Sequence, residues 1–157
     1  MSLSQVYLYA IHQIMEKGSN KLLKYATGLI ALLWFYAAIN KLLDFQSFIQ
    51  AMHKQPLIRS LQVLLIYGLP PAEMLTGILL IVRKTILSGL CISAILLVVF
   101  TVYTGLILLR FFHRVPCACG GLIGHMGWSF HLWFNIAFLA LTLISIMIGK
   151  RKEGGGI

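Results

Sequence analysis

Residues 85–109, TILSGLCISAILLVVFTVYTGLILL, carry no charged side chain. An α-helix needs about 20 predominantly apolar residues to cross the hydrocarbon core of a bilayer, and this run exceeds that length. Inside hydrocarbon there is no water to satisfy backbone amides, so an isolated apolar run of this kind must bond to itself as a helix. The stretch therefore reads as a membrane span.

Three further runs have the same character. Tyr25–Leu43 is apolar apart from Thr27, Asn40 and Lys41. Leu61–Val82 contains Gln62, Glu73 and Thr76 as its clearly polar residues, with Pro70-Pro71 inside it. Leu132–Gly149 is uncharged, with Asn135 near its start. The whole chain agrees: of 157 residues 59% are apolar and 11% charged, whereas a soluble domain carries roughly a quarter charged residues. The expected fold is all-α, an integral membrane four-helix bundle.

Outside the spans, 1–24 reads as a cytoplasmic or interfacial segment forming a short surface helix that runs into the first span. It lacks the basic start and small-residue cleavage site of a removable signal. Residues 25–149 form the four-helix domain, and the polar, glycine-rich 150–157 reads as a disordered cytoplasmic tail. Between the first two spans, DFQSFIQAMHKQPLIRS (44–60) places Phe45, Phe48, Ile49 and Met52 on one face. That is the pattern of a short amphipathic helix on the membrane surface, positioned to cap a site or dock a partner.

The net charge of +9 does not point to nucleic acid, because the basic residues are spread over several loops without an aromatic stacking platform. Their distribution speaks to topology instead. Eight of the thirteen lie at the N-terminus, the second loop and the C-terminus (Lys17, Lys21, Lys24, Arg83, Lys84, Lys150, Arg151, Lys152), and the others at Lys41, Lys54, Arg59, Arg110 and Arg114. The positive-inside rule then puts both termini in the cytoplasm. In a bacterial inner membrane the segment after the third span faces the periplasm, where disulfides persist.

That segment holds the sequence's most reactive-looking motif, RVPCACGGLIGHMGWSFHLWFN (114–135). A disulfide between Cys117 and Cys119 closes so small a ring that it removes little unfolded-state entropy, so it is a poor staple. Strained, exposed disulfides are the labile ones, which suits thiol–disulfide exchange. His113, Arg114 and His125 lie close enough in sequence to favour thiolate. The plainer reading is a loop with two incidental thiols. Cys117, Cys119, His125 and His131 would also offer zinc or copper its preferred donors, but C-x-C-x5-H-x5-H matches no strong metal motif, and no metal is assigned. Cys91 lies near the other end of the third span, roughly 30 Å away at 1.5 Å per residue, and reads as a small buried apolar residue.

Within the spans, Glu73 is the lone acid, and an intramembrane carboxylate is a functional candidate by default. If its span begins near Gly68, Glu73 lies about one turn deep, level with Lys41, and the two are expected to pair. Such a pair serves either helix packing or the chemistry itself. Asn40 and Asn135 are expected to hydrogen-bond between helices. Gly77, Gly89 and Gly105 are expected to allow close helix contacts, and Tyr103, Trp128 and Trp133 to anchor at the interface.

Taken together, AAINKLLDFQSF at the end of the first span, LPPAEMLTGILLIV in the second, and VPCACGG with WSFHLWFN resemble the methylamine-utilisation MauE family, within the DoxX-like superfamily of small four-helix membrane proteins. The resemblance covers residues 25–149. It implies an inner-membrane bundle engaged in periplasmic thiol redox beside a thioredoxin-like or substrate protein. It places the family's redox pair on Cys117 and Cys119, its lysine and glutamate on Lys41 and Glu73, and its asparagine on Asn135. The family pattern reads C-x-C-F-G, where this chain has Gly120.

Two functions follow as expectations. One is a thiol–disulfide redox protein passing electrons to another thiol protein or to a quinone, the latter in an apolar slot between Trp128, Phe130 and Trp133. The other is a structural subunit scaffolding a larger envelope complex. A small transporter is a weaker third, since no broken-helix repeat appears.

Overall fold

A computed structural model describes the backbone of residues 3–111 and 127–154 and the side chains of 21–111 and 127–150. Cys117, Cys119 and His125, with His113 and Arg114, lie outside the described residues. Five helices make up the fold: α1 (Leu3–Leu43), α2 (Phe45–His53), α3 (Arg59–Ile81), α4 (Ile86–Leu108) and α5 (Trp128–Gly154). Four of them contain stretches long and apolar enough to cross a membrane, namely Lys21–Leu43, Arg59–Ile81, Ile86–Leu108 and Trp128–Lys150. The protein is a multi-pass membrane four-helix bundle.

Packing follows chain order. α1 lies against α3, α3 against α4, α4 against α5, and α5 closes back on α1. Successive spans are therefore neighbours, with a short connection only between α3 and α4. The core joins Ile30, Ala31 and Trp34 of α1 to Leu80 of α3 and to Leu90 and Leu97 of α4. Leu29, Leu32, Leu64, Ile95, Val99 and Leu143 are exposed, which is how a bundle bathed in lipid presents itself.

Polar groups are turned inward, and most are satisfied on their own helix. The hydroxyls of Thr27, Thr76, Thr104, Thr142 and Ser145 each donate to the carbonyl one turn earlier, at 2.7–2.8 Å. Across the bundle, the Trp34 indole Nε1 donates to Ser93 Oγ at 2.8 Å, tying α1 to α4. Gly77 receives the Phe35 ring where a Cβ would stand 3.0 Å from it, and a Cβ on Gly89 would meet the Leu79–Leu80 backbone at 3.0 Å. Among the described residues nothing lies within 4 Å of a Cβ built on Gly105, so the close contact expected there does not form among them.

The N-terminal segment and the first span form one helix from Leu3 onward. Other expectations are corrected. At the other end α5 extends to Gly154, so residues 151–154 are helical rather than a disordered tail. Cys91 is exposed: it falls on the outer face of α4, because neighbouring Leu90 and Ser93 take the inward one. Asn40 Nδ2 donates to Tyr36 O of its own helix at 2.9 Å, not to another helix.

The link between α1 and α3 forms the expected amphipathic helix. Asp44 caps α2 by accepting from Ser47 N at 3.2 Å. Phe48 is buried, Phe45, Ile49 and Met52 are half-buried, and Phe45 packs at 6.2 Å between centroids against Tyr67 of α3.

Candidate functional site

Lys41 sits two positions from the end of α1, on the same side as the buried Ala38 and Trp34 one and two turns earlier. Its ammonium donates to both carboxylate oxygens of Glu73, at 2.8 and 2.9 Å, and to Ala37 O at 3.2 Å. All three donors of the ammonium are thus engaged. Glu73 is 1% exposed and Lys41 15%, so the ion pair is desolvated but open on the lysine side. Phe48 of α2 closes over that side, its ring centroid 6.0 Å from Lys41 Nζ.

The depth of the pair differs from expectation. α3 begins at Arg59, not near Gly68, which puts Glu73 about 21 Å along the helix at 1.5 Å per residue. Pro70 and Pro71 lie inside α3, one turn before the glutamate. Proline has no N–H, so neither can complete the helical rungs to the carbonyls of Ile66 and Tyr67. α3 nonetheless continues through this turn, and α2 and the loop after it brace the half of α3 that precedes it.

That brace is a hydrogen-bond network missed at the level of sequence. Gln62, buried on α3, donates through Nε2 to Gln55 O at 3.0 Å, and its Oε1 lies 3.3 Å from His53 Nδ1. The Tyr103 hydroxyl of α4 donates to Gln55 Oε1. Tyr103 is therefore a tether between α4 and the α2–α3 loop rather than a free interfacial anchor. The one available signal was Gln62 itself, an amide without reason to stand in an apolar run unless it has partners.

α5 supplies the remaining polar groups. His131, in the first turn of α5, is half-buried. One turn deeper on the same face, Asn135 is 5% exposed. Its side-chain Nδ2 has no hydrogen-bond partner among the described residues, where an interhelical bond was expected. The structure thus pairs Lys41 with Glu73 across α1 and α3, while His131 and Asn135 stand in the first two turns of α5, a helix that packs against α1.

The aromatic slot expected near the start of α5 does not form from the three residues named for it. Trp133 is 69% and Phe130 46% exposed. Phe130 instead stacks along its own helix on Phe134, at 6.4 Å between centroids. Trp128 and Phe130 are two positions apart, and side chains at that spacing do not face each other on a helix.

A family model described as Methylamine utilisation protein MauE matches residues 19–148, and the chain belongs to that family. No curated protein and no solved structure matches it.

Proposed function

With membership of the MauE family as the premise, we propose that this membrane protein is a thiol–disulfide redox protein whose Cys117–Cys119 pair exchanges with a partner outside the cytoplasm. The wider kinship with DoxX-like four-helix proteins belongs to the same proposal. The observation that carries it is the position of the C-x-C motif in the chain. The pair stands in the chain between the end of α4 at Leu108 and the start of α5 at Trp128, and it leads into the helix that carries His131 and Asn135.

The exchange balances without an external reagent. A partner thiolate attacks one sulfur of the Cys117–Cys119 disulfide, and the displaced sulfur leaves as thiolate. The partner's second thiol resolves the mixed disulfide, so two electrons and two protons pass from partner to pair. The excess of Lys and Arg at Lys17–Lys24, Arg83–Lys84 and Lys150–Lys152 supports cytoplasmic termini and a periplasmic C-x-C in an inner membrane.

The test uses a membrane-impermeant maleimide on spheroplasts carrying Cys91→Ala. The expected result is two labels per chain, seen only after reduction. Absence of label in both redox states sinks the topology and with it the redox reading.

A second reading, a structural subunit of an envelope complex, is favoured by the full engagement of the Lys41 donors, which suits a packing contact. Cys117→Ser with Cys119→Ser separates the two. Loss of partner oxidation at normal abundance supports redox work, and unchanged function supports the scaffold.

A further inference from the structure

The end of the bundle that carries both chain termini holds a group of cations without counter-charges. Lys21 and Lys24 open the first span, Arg83 and Lys84 stand in the α3–α4 turn, and Lys150 closes the last span. All five are exposed, and none has an ion-pair partner among the described residues, where the one salt bridge is Lys41–Glu73. Asp44 caps α2 at the opposite end. In sequence Lys17, Arg151 and Lys152 add to the basic end, against Glu16 and Glu153. The packing brings the five together. The Trp34–Ser93 bond fixes the level of α1 against α4, and those two helices run in the same direction. Lys24 stands as far before Trp34 as Arg83 stands before Ser93, so Lys24 is level with the α3–α4 turn. On the other side, a Cβ on Gly149 would lie 3.5 Å from Leu87 Cδ1. That contact sets Lys150 beside the first turn of α4, next to Arg83 and Lys84.

We infer that this end binds the phosphate of an anionic phospholipid, seated over the α3–α4 turn by Arg83, Lys84 and Lys150, with Lys24 at its flank. Basic side chains at the edge of a membrane span are drawn to anionic headgroups. The planar guanidinium of Arg83 suits two phosphate oxygens at once, and the lysines add point charges. The turn that presents them is pinned: Thr85 Oγ1 donates to Leu79 O at 2.9 Å, and the Thr85 N–H donates to Val82 O at 3.0 Å. Gly89 lets α4 close against the Leu79–Leu80 backbone just behind it. The surroundings select a lipid over free phosphate. Leu22, Tyr25, Ile81 and Val82, next to the cations in the chain, are all exposed and offer apolar surface to acyl chains. Tyr25 beside Lys24 also has the amphipathic ring that favours the headgroup level. The site uses no residue of the thiol chemistry proposed above and stands or falls apart from it.

The experiment titrates dioleoyl phosphatidylglycerol into the full chain in dodecyl maltoside micelles, with dioleoyl phosphatidylcholine as the neutral counterpart. It follows the melting temperature and, by native mass spectrometry, the lipid retained. Phosphatidylglycerol should raise the melting temperature of the wild type saturably, as a ligand of the folded state does, and phosphatidylcholine should not. Arg83→Gln with Lys84→Gln should melt like the wild type without lipid, because both side chains are exposed and unpaired among the described residues. It should need at least tenfold more phosphatidylglycerol, since each basic residue near an anionic surface is worth roughly fivefold in affinity. Lys54→Gln with Arg59→Gln removes the same charge from the opposite end and should stay within twofold of the wild type. Equal stabilisation by phosphatidylcholine, or an Arg83/Lys84 variant within twofold of the wild type, overturns the inference. An equal loss in the Lys54/Arg59 variant also overturns it, because net charge alone would then explain the binding. Stabilisation by inorganic phosphate in place of the lipid would overturn the choice of a lipid.

Discussion

Lys41 and Glu73, thirty-two positions apart in sequence, form a two-pronged contact of 2.8 and 2.9 Å inside the bundle. It is the one ion pair among the described residues, and it joins the helices that open and continue the fold. Taking two charges out of water is expensive, and their attraction repays it only when the remaining lone pairs and protons are also engaged. Here Ala37 O takes the third ammonium proton, and each carboxylate oxygen accepts one hydrogen bond.

The first prediction concerns this asymmetry. Glu73→Ala alone should destabilise the bundle by about 3–5 kcal/mol, the cost of a buried charge left without its partner. Lys41→Met combined with Glu73→Leu should recover most of that loss. Unfolding in mixed micelles, read across the double-mutant cycle, checks it. Additive losses would mean the two side chains do not act together.

Three glycines separate packing from mere presence. Gly89→Ala puts a Cβ about 3.0 Å from the Leu79–Leu80 backbone, which cannot move aside. Its melting temperature should fall by several degrees, consistent with the 1–3 kcal/mol typical of overpacking. Gly105→Ala meets nothing within 4 Å among the described residues and should be neutral or slightly stabilising, since alanine exceeds glycine in helix propensity by up to about 1 kcal/mol. Gly77→Ala should fall between them, because the Phe35 ring 3.0 Å away is a side chain and can yield.

The third concerns the loop that holds α2. Gln62→Leu removes the donor to Gln55 O and the partner of His53. The expected outcome is faster amide hydrogen exchange across Phe45–His53 with little change in the core around Trp34 and Leu97. Uniform acceleration over the whole bundle would show instead that Gln62 supports the global fold and not the α2 brace.

Much of this architecture was legible in the residues. Hydropathy over 20-residue windows is a local property, so the four spans could be read directly, and the period of Phe45, Phe48, Ile49 and Met52 announced α2. The two ionisable residues in otherwise apolar runs, Lys41 and Glu73, had few places to go except to each other. The depth of the pair was not legible, because it depends on where α3 starts. A Pro-Pro step reads equally well as a helix beginning or as a tolerated interruption.

What the sequence by itself determined is therefore which segments cross the membrane and which chemical groups are available there. The tertiary structure alone decided which groups meet. The rotation of each helix about its axis turned Cys91 outward and Asn135 inward, and the stagger between helices placed Gln62 beside His53 and Gln55 and left Gly105 without a close contact among the described residues. The physical reason is that transfer into lipid is nearly the same for every face of an apolar helix. Hydropathy can then select a span but not its orientation. That is settled by close packing at a few small residues and by buried polar groups that seek partners in the protein.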